Sequence, residues 1–291
     1  MRILNFGSLN IDHVYRVHEL VRPGETIDSQ DYQRFAGGKG LNQSIALAYA
    51  GADVCHAGCI GEDGDWLKQT LHDAGADISH VRTAPGATGH AIIQVNEAGE
   101  NAIVLHGGTN RAIAPVQATE TLTAFNPGDM LLLQNEINAI PEIISRAAEQ
   151  GLRIVFNAAP MSPAIRGYPL EHIGCFIINK TEGEALTGEQ DPDTIVELMR
   201  TQFPAAAVVL TLGADGARYA DANGQARCAA ETVEPVDTTA AGDTFTGYFL
   251  AELAQGHNPE LAMRVATRAA AICVTRPGAG ASIPRRDEID T

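Results

Sequence analysis

The run Asp237-Thr238-Thr239-Ala240-Ala241-Gly242-Asp243 carries small residues directly into a helix that begins near Gly242. Small side chains ahead of a helix start leave bare N–H groups and the positive dipole end facing any anion, and Asp243 is placed to reach a hydroxyl held beside it. That combination is suited to phosphoryl transfer. The plain alternative is that Asp237 or Asp243 only caps the helix, but Ala-Ala-Gly-Asp has no bulky side chain to cover the amides. A second run, Gly37-Gly38-Lys39-Gly40-Leu41-Asn42, opens a helix through Ala50. Its glycines let a ligand approach the backbone, and Asn42 brings donors and acceptors to the first turn; taken alone it is equally a glycine turn with a cap. A third set is polar and falls at expected strand ends: Asn10 and Asp12, Glu136, Asn179 with Glu182, and Thr211 with Gly213. Ligands of open α/β sheets sit beyond the carboxyl ends of the strands.

The elements that must position these residues alternate between short apolar strands and amphipathic helices, the pattern of a mostly parallel sheet covered by helices. Strands are expected at 2–6, 53–60, 130–134, 153–157, 175–179 and 207–211. Helices are expected at 65–74, 141–150, 193–202, 242–255 and 259–275. Within the first of these, Leu67, Leu71 and Ala74 share a face and Gly75 ends it. Residues 14–36 and 88–106 break the rhythm as extended excursions, the second turning at Glu97-Ala98-Gly99-Glu100. They read as a small β-sheet appended to the α/β core, with the whole of 1–291 as a single domain and no internal repeat.

Several classes of function are excluded. The only Gly-Lys pair is followed by Gly40, and Gln33 stands where a P-loop needs glycine. No G-x-G-x-x-G joins a strand to a helix, which empties the nicotinamide dehydrogenase reading. The 291 residues are 45% hydrophobic and 19% charged, enough for a large core. Lys plus Arg number 20 against 36 Asp plus Glu, a formal net charge of −16, which repels polyphosphate backbones and anionic lipid, so neither nucleic acid nor membrane is an expected partner. Five scattered cysteines suit a reducing compartment; Cys55 and Cys59 lack a second metal-ligand pair and read as buried strand thiols. With no targeting segment and no long apolar run, a cytoplasmic location is expected.

On Gly37-Gly38-x-Gly40-x-Asn42-x-Ser44, followed by Gly51 and Gly61, and on Asp237 to Asp243, the chain resembles the PfkB family of carbohydrate kinases. Gly7-Ser8-Leu9-Asn10-Ile11-Asp12-His13, Pro23-Gly24-Glu25-Thr26, Thr211-Leu212-Gly213 and Val274-Thr275-Arg276-Pro277-Gly278-Ala279 extend the likeness to the ribokinase branch and over nearly the whole chain. The resemblance implies an α/β fold, a ribokinase-like Rossmann-type core with a β-sheet lid that doubles as a homodimer interface. It implies an ATP-dependent kinase for the primary hydroxyl of ribose or a close pentose. Other small substrates of such a fold are deoxyribose, a ketose or a nucleoside; a sugar-binding regulator that lost the chemistry would lack the base or its anion hole, and both are intact.

The resemblance also implies roles. Asp243 would be the base, with Ala240, Ala241 and Gly242 forming the anion hole. Asn10, Asp12, Gly38, Lys39, Asn42 and Glu136 would hold the sugar hydroxyls under a roof of Ala91 and Ile93. Asn179 and Glu182 would organise Mg²⁺ and the phosphates through water, as a hard, strongly hydrated ion requires. Thr211, Gly213, Gly216 and Thr267 would line the nucleotide. A monovalent cation, K⁺ in the usual case, would be held by Asp237, Thr239, Cys273, Arg276, Gly278 and Ser282, several through backbone carbonyls. Thr267 stands where histidine or asparagine is common, and Tyr248 where a small residue is expected; Asn135 and Ile178 also depart from the pattern.

Overall fold

The computed structural model describes residues 1–289; the last two positions of the expected domain lie outside the described residues. The core is a nine-stranded sheet, and its first-built half is parallel: β1 (Ile3–Phe6) lies between β4 (Val54–Ile60) and β8 (Met130–Gln134), with β5 (Asp77–Thr83) at the edge beyond β4. The parallel ladder continues through β9 (Arg153–Asn157), β10 (Cys175–Asn179) and β11 (Ala207–Thr211). Two antiparallel strands, β12 (Ala217–Asp221) and β13 (Gly224–Cys228), finish that side. Strands such as Met130-Leu-Leu-Leu-Gln134 are buried along their whole length because helices cover both faces, which is why they read as continuous apolar runs.

The helices are α1 (Lys39–Tyr49), α2 (Asp65–Ala74), α3 (Pro115–Leu122), α4 (Ile140–Glu149), α5 (Lys180–Thr187), α6 (Pro192–Gln202), α7 (Ala241–Ala254), α8 (Pro259–Val274) and the short α9 (Arg286–Ile289). Besides a small buried cluster of Ala240, Cys273 and Ala279, two large buried apolar clusters form, one on each face of the sheet: Leu41, Leu47, Phe245 and Phe249 belong to one, Ile143, Ile144, Phe156 and Phe176 to the other. Fully burying side chains of this size contributes roughly 1.5–3 kcal/mol each. The six expected strands and five expected helices form within a residue or so of their bounds. β5, β12, β13, α3 and α5 were not anticipated; they are short or carry mixed polar and apolar residues, such as Asp77-Ile-Ser-His-Val-Arg-Thr83, that give no clean period.

A second, four-stranded sheet is ordered β3 (Asp31–Gly37), β2 (Asn10–Arg16), β6 (Gly89–Val95), β7 (Asn101–His106) and forms the lid. The excursion expected from residue 14 therefore begins earlier. Asn10 and Asp12 are not loop residues beyond β1 but members of β2, where Asn10 pairs with Gly37 and Gly89, and Asp12 with Phe35 and Ala91. Period-2 alternation then points Asn10, Asp12 and their partner Ala91 toward one face.

Close backbone approaches set the helix bearing the glycine run. A Cβ at Gly40 would overlap Gly7 and the Ser8 nitrogen, so the start of α1 rests directly on the turn after β1. Gly38 has φ +92°, a left-handed value that disfavours any other residue at this helix entry. Farther along, Gly247 of α7 lies against Ala46 of α1 with no room for a side chain. Tyr248, the bulky departure in α7, is fully buried and its hydroxyl donates to the Pro284 carbonyl at 2.7 Å, so it is absorbed by core packing.

Candidate active site

Two cavities meet at the carboxyl ends of the parallel strands. One, of about 480 Å³, lies under the lid and is lined by every residue assigned to the sugar: Asn10, Asp12, Gly38, Lys39, Asn42 and Glu136, with Ala91 and Ile93 from β6 above. Ile103 and Leu105 of β7 join that roof and were not anticipated. Asn179, Glu182, Thr239, Ala240, Gly242 and Asp243 form its far wall. The other cavity, of about 410 Å³, is lined by Gly213, Gly216 and Thr267, with Ala230, Val233 and Ala270 among its apolar neighbours. Thr211, Thr238 and Gly242 line both.

The shared wall is the start of α7. Ala240 precedes the helix with φ +62°, a left-handed conformation uncommon for a residue with a Cβ. No side chain caps this fourteen-residue helix, so its first N–H groups and dipole end face the junction of the cavities beside Gly242. Asp243 is buried in that first turn. Its carboxylate accepts from Asn42 Nδ2 at 3.1 Å and from Gln43 Nε2 at 2.8 Å. Asn42 thus spends a donor on Asp243, although it also lines the cavity.

The polar groups under the lid act on one another's charge. Ser8 Oγ donates to Glu136 Oε2, and the same oxygen accepts from the Lys39 backbone N–H at 3.0 Å. Burial pushes the Glu136 carboxyl above its ordinary value despite these donors and the nearby Lys39 charge. Burial, with the Glu136 charge adding, pushes Asp12 up to about 7. Lys39 is held above the usual lysine value chiefly by the Asp243 charge, with Glu136 and Glu182 adding to it against the opposing effect of burial. Asn10 Oδ1 accepts from Asn110 Nδ2 at 2.7 Å, which leaves the Asn10 amide donors to the cavity.

Asn179 and Glu182 form a capping box at the head of α5: Glu182 oxygens accept from the Asn179 backbone N–H and Nδ2, both at 2.9 Å, and Asn179 Oδ1 accepts from the Glu182 N–H. Burial raises the Glu182 carboxyl above its usual range. With both Glu182 oxygens and Asn179 Oδ1 already accepting hydrogen bonds, the pair fits a hydrated Mg²⁺ met through water better than one bound directly.

The six residues assigned to a monovalent cation gather behind α7. Asp237 ties two loops together, one oxygen accepting from the Thr239 N–H and hydroxyl and the other from the Gly278 N–H. Burial alone would raise this carboxyl, but those donors from Thr239 and Gly278 hold it below the ordinary value. The Cys273 thiol, raised by burial, lies 3.1 Å from Ser282 Oγ within the same set, whereas the Arg276 side chain is engaged elsewhere, pairing with Glu288 at 2.5 Å. One carboxylate surrounded by neutral oxygens fits a singly charged hard cation. No group of three or more His, Cys, Asp or Glu side chains among the described residues could hold a metal ion.

Four residues that hold this site were given no role from sequence: Ser8, quoted only within its motif, and Gln43, Asn110 and Asn157. Gln43 and Ser44 are buried polar residues in the mostly apolar run of α1 from Leu41 to Leu47, and that polarity within an apolar run was the available signal. Nothing local marks Asn110, which reaches Leu9 and Asn10 across 100 positions. Of the departures, Ile178 lines the cavity under the lid, Thr267 lines the other, and Asn135 turns away to Pro160 and Ser162.

The chain is similar to known proteins along its length. The pattern of the pfkB family carbohydrate kinases matches residues 2–286. Ribokinase of Haemophilus influenzae is 36% identical over 292 residues, covering 97% of this chain and 95% of that protein. Among solved structures, ribokinase of Cryptococcus neoformans in complex with ADP superposes with a TM-score of 0.87 at 32% identity, covering 99% of this chain and 98% of that one. Arabidopsis thaliana ribokinase complexed with ribose and ATP gives 0.89 at 27%, covering 99% and 96%.

Proposed function

This chain belongs to the pfkB family of carbohydrate kinases, and from that premise we propose that it transfers the terminal phosphoryl group of ATP to the primary hydroxyl of D-ribose, giving D-ribose 5-phosphate. The observation that carries the proposal is the position of Asp243: a buried carboxylate in the first turn of an uncapped helix, beside Gly242 where the two cavities meet.

In this reading the sugar occupies the cavity under the lid. Asn10, Asp12, Gly38, Lys39, Asn42 and Glu136 hold its hydroxyls, because a buried sugar requires every donor and acceptor to be matched. Ala91 and Ile93 exclude water from above. The sugar-side lining among the described residues contains no aromatic side chain, which favours a bare sugar over a nucleoside whose base would want an aromatic face. The nucleotide lies along Thr211, Gly213, Gly216 and Thr267, its terminal phosphate at the N–H groups of Ala240, Ala241 and Gly242.

Asp243 orients the primary hydroxyl and takes its proton as the new O–P bond forms; the bond to the bridging oxygen breaks and ADP leaves. The transition state is loose, so charge stabilisation by the helix start and alignment of the hydroxyl dominate over base strength. Asn179 and Glu182 would hold a hydrated Mg²⁺, which would supply charge neutralisation for the phosphates. A monovalent cation would be held by Asp237, Thr239, Cys273, Arg276, Gly278 and Ser282, several through backbone carbonyls, and would supply positive charge that tunes the anion-hole turn.

The test is ADP release by the purified protein with ATP and Mg²⁺ over ribose, deoxyribose, fructose, other small sugars and nucleosides, each with and without potassium. Potassium-stimulated turnover on ribose is the expected result. Silence on ribose with turnover on another acceptor overturns the substrate while keeping the reaction.

A further inference from the structure

Beneath the Asp243 carboxylate runs a chain of side-chain amides shut off from solvent: Gln43, Gln134 and Asn5 are each 0% exposed. Gln43 Nε2 donates to Asp243 Oδ1 at 2.8 Å and to Asn157 Oδ1 at 3.0 Å. Gln43 Oε1 accepts from Gln134 Nε2 at 2.7 Å, and that nitrogen also donates to Asn5 Oδ1 at 2.9 Å. Asn5 Nδ2 donates to the Gly40 carbonyl and to Ser44 Oγ, both at 2.8 Å.

The direction of every amide in this chain is fixed by chemistry at its two ends. Backbone carbonyls accept only. Asn157 Nδ2 faces the Ile177 carbonyl at 2.8 Å, so Asn157 must offer its oxygen to Gln43. Asn5 Nδ2 faces the Gly40 carbonyl, so Asn5 must offer its oxygen to Gln134. Between those anchors a flipped Gln43 would set its oxygen against two acceptors and its nitrogen against a donor. One orientation survives, and it aims an N–H at the carboxylate. The Gln134 oxygen is left without a donor and lies against Gly7, where a Cβ would overlap it; leaving such an acceptor unpaired costs about 1–3 kcal/mol. Beyond Asn5, Ser44 Oγ lies 2.7 Å from His56 Nδ1, and burial pushes that imidazole down to about 3, so no charge enters the chain from that end.

We propose that Gln43 is a positioning residue for phosphoryl transfer, held in a single orientation by Gln134 and Asn157 so that it fixes the Asp243 carboxylate in the geometry that accepts the hydroxyl proton. The proposal rests on Asp243 being the base. Charged groups around that carboxylate are Lys39 on α1, Glu136 after β8 and Glu182 on α5, and none is altered by the variants that test it.

Methionine approximates the length and flexibility of glutamine without its hydrogen bonds. Gln43→Met is expected to lower kcat by roughly 10- to 100-fold with the sugar KM changed less than about 3-fold, since the carboxylate loses the donor that aligns it while the sugar contacts stay in place. Gln134→Met, which does not touch Asp243, should show the same signature at about 3- to 10-fold. Combining Gln43→Met with Asp243→Asn should lose no more than Asp243→Asn alone, because the two act through one group. A folded Gln43→Met with unchanged kcat, one whose loss falls on KM instead, or losses that multiply in the double variant, overturns the proposal while leaving the base in place. Turnover retained in Asp243→Asn overturns the base and the proposal together. Should Gln43→Met fail to fold, Gln134→Met decides by the same readouts.

Discussion

Asn42 Nδ2 donates to Asp243 Oδ2 at 3.1 Å across 201 positions of sequence, joining the first turn of α1 to the first turn of α7. A carboxylate in this setting is aligned by its neighbours before any substrate arrives, so its removal should affect the chemical step and spare binding.

Asp243→Asn keeps the shape of the side chain and removes the proton acceptor. Its kcat is expected to fall by ~10²–10⁴ or more, with KM for sugar and ATP close to the parent. Steady-state kinetics at saturating ATP checks this, and a variant retaining most of its turnover refutes the assigned role.

Asp12 should give sugar capture a pH dependence near neutrality. Burial and then the Glu136 charge raise it to about 7 from 3.8, so the empty site holds a proton there below that pH. Sugar hydroxyls donate best to the anion, so kcat/KM should rise as pH passes upward through about 7, and sugar binding should release a proton in that range. Asp12→Asn should raise KM and flatten this dependence, which kcat/KM profiles would show directly.

The same shift acts on stability with a definite sign. Between 3.8 and about 7 the folded chain holds the Asp12 proton and the unfolded chain does not, so the contribution of Asp12 to stability falls as pH rises through that window. Asp12→Asn should therefore raise Tm relative to the parent more at pH 8 than at pH 4; an equal change at both would count against the raised value.

Gly247 lies where a side chain would overlap Ala46 and sit 2.8 Å from the Leu47 nitrogen. Gly247→Ala should push α7 from α1, cost about 1–3 kcal/mol in stability and lower kcat, because Asn42 and Gln43 ride on α1. Denaturant unfolding together with kinetics tests both parts; an unchanged midpoint would show that the helices can yield without cost.

The lid leaves Ile103 56%, Val104 68% and Leu105 49% exposed on its outermost strand. Exposed apolar residues gathered on one edge strand suit burial against a second copy of the chain. Sedimentation at micromolar concentration should give a dimer, and Ile103→Asp should shift it to monomer and raise the sugar KM, since Ile103 also lines that cavity. A parent protein that is monomeric throughout defeats the dimer.

Much of this molecule could be read before folding it. Strands such as 130–134 and 175–179 and the helix at 65–74 formed at the expected bounds, because a buried parallel strand is a short apolar run and an amphipathic helix declares its period and its stop. The glycine run and the Asp237 to Asp243 run were visible for the same reason: helix starts that receive anions need small residues in consecutive positions, so their whole signal is local. The antiparallel pair β12 and β13 was not visible, since short strands with mixed polarity have no period that stands out.

What the tertiary structure decided is which distant polar groups complete the site. Gln43 meets Asp243, Asn110 meets Asn10, and Ser8 meets Glu136 across 200, 100 and 128 positions respectively. A lone glutamine or asparagine in sequence carries no mark of its partner, because its hydrogen bonds are defined by orientation and not by spacing along the chain. The raised Asp12 carboxyl is of the same kind: it arises from a lid strand folding Asp12 into a half-enclosed space near Glu136, and neither the enclosure nor the neighbouring charge exists until the two sheets come together.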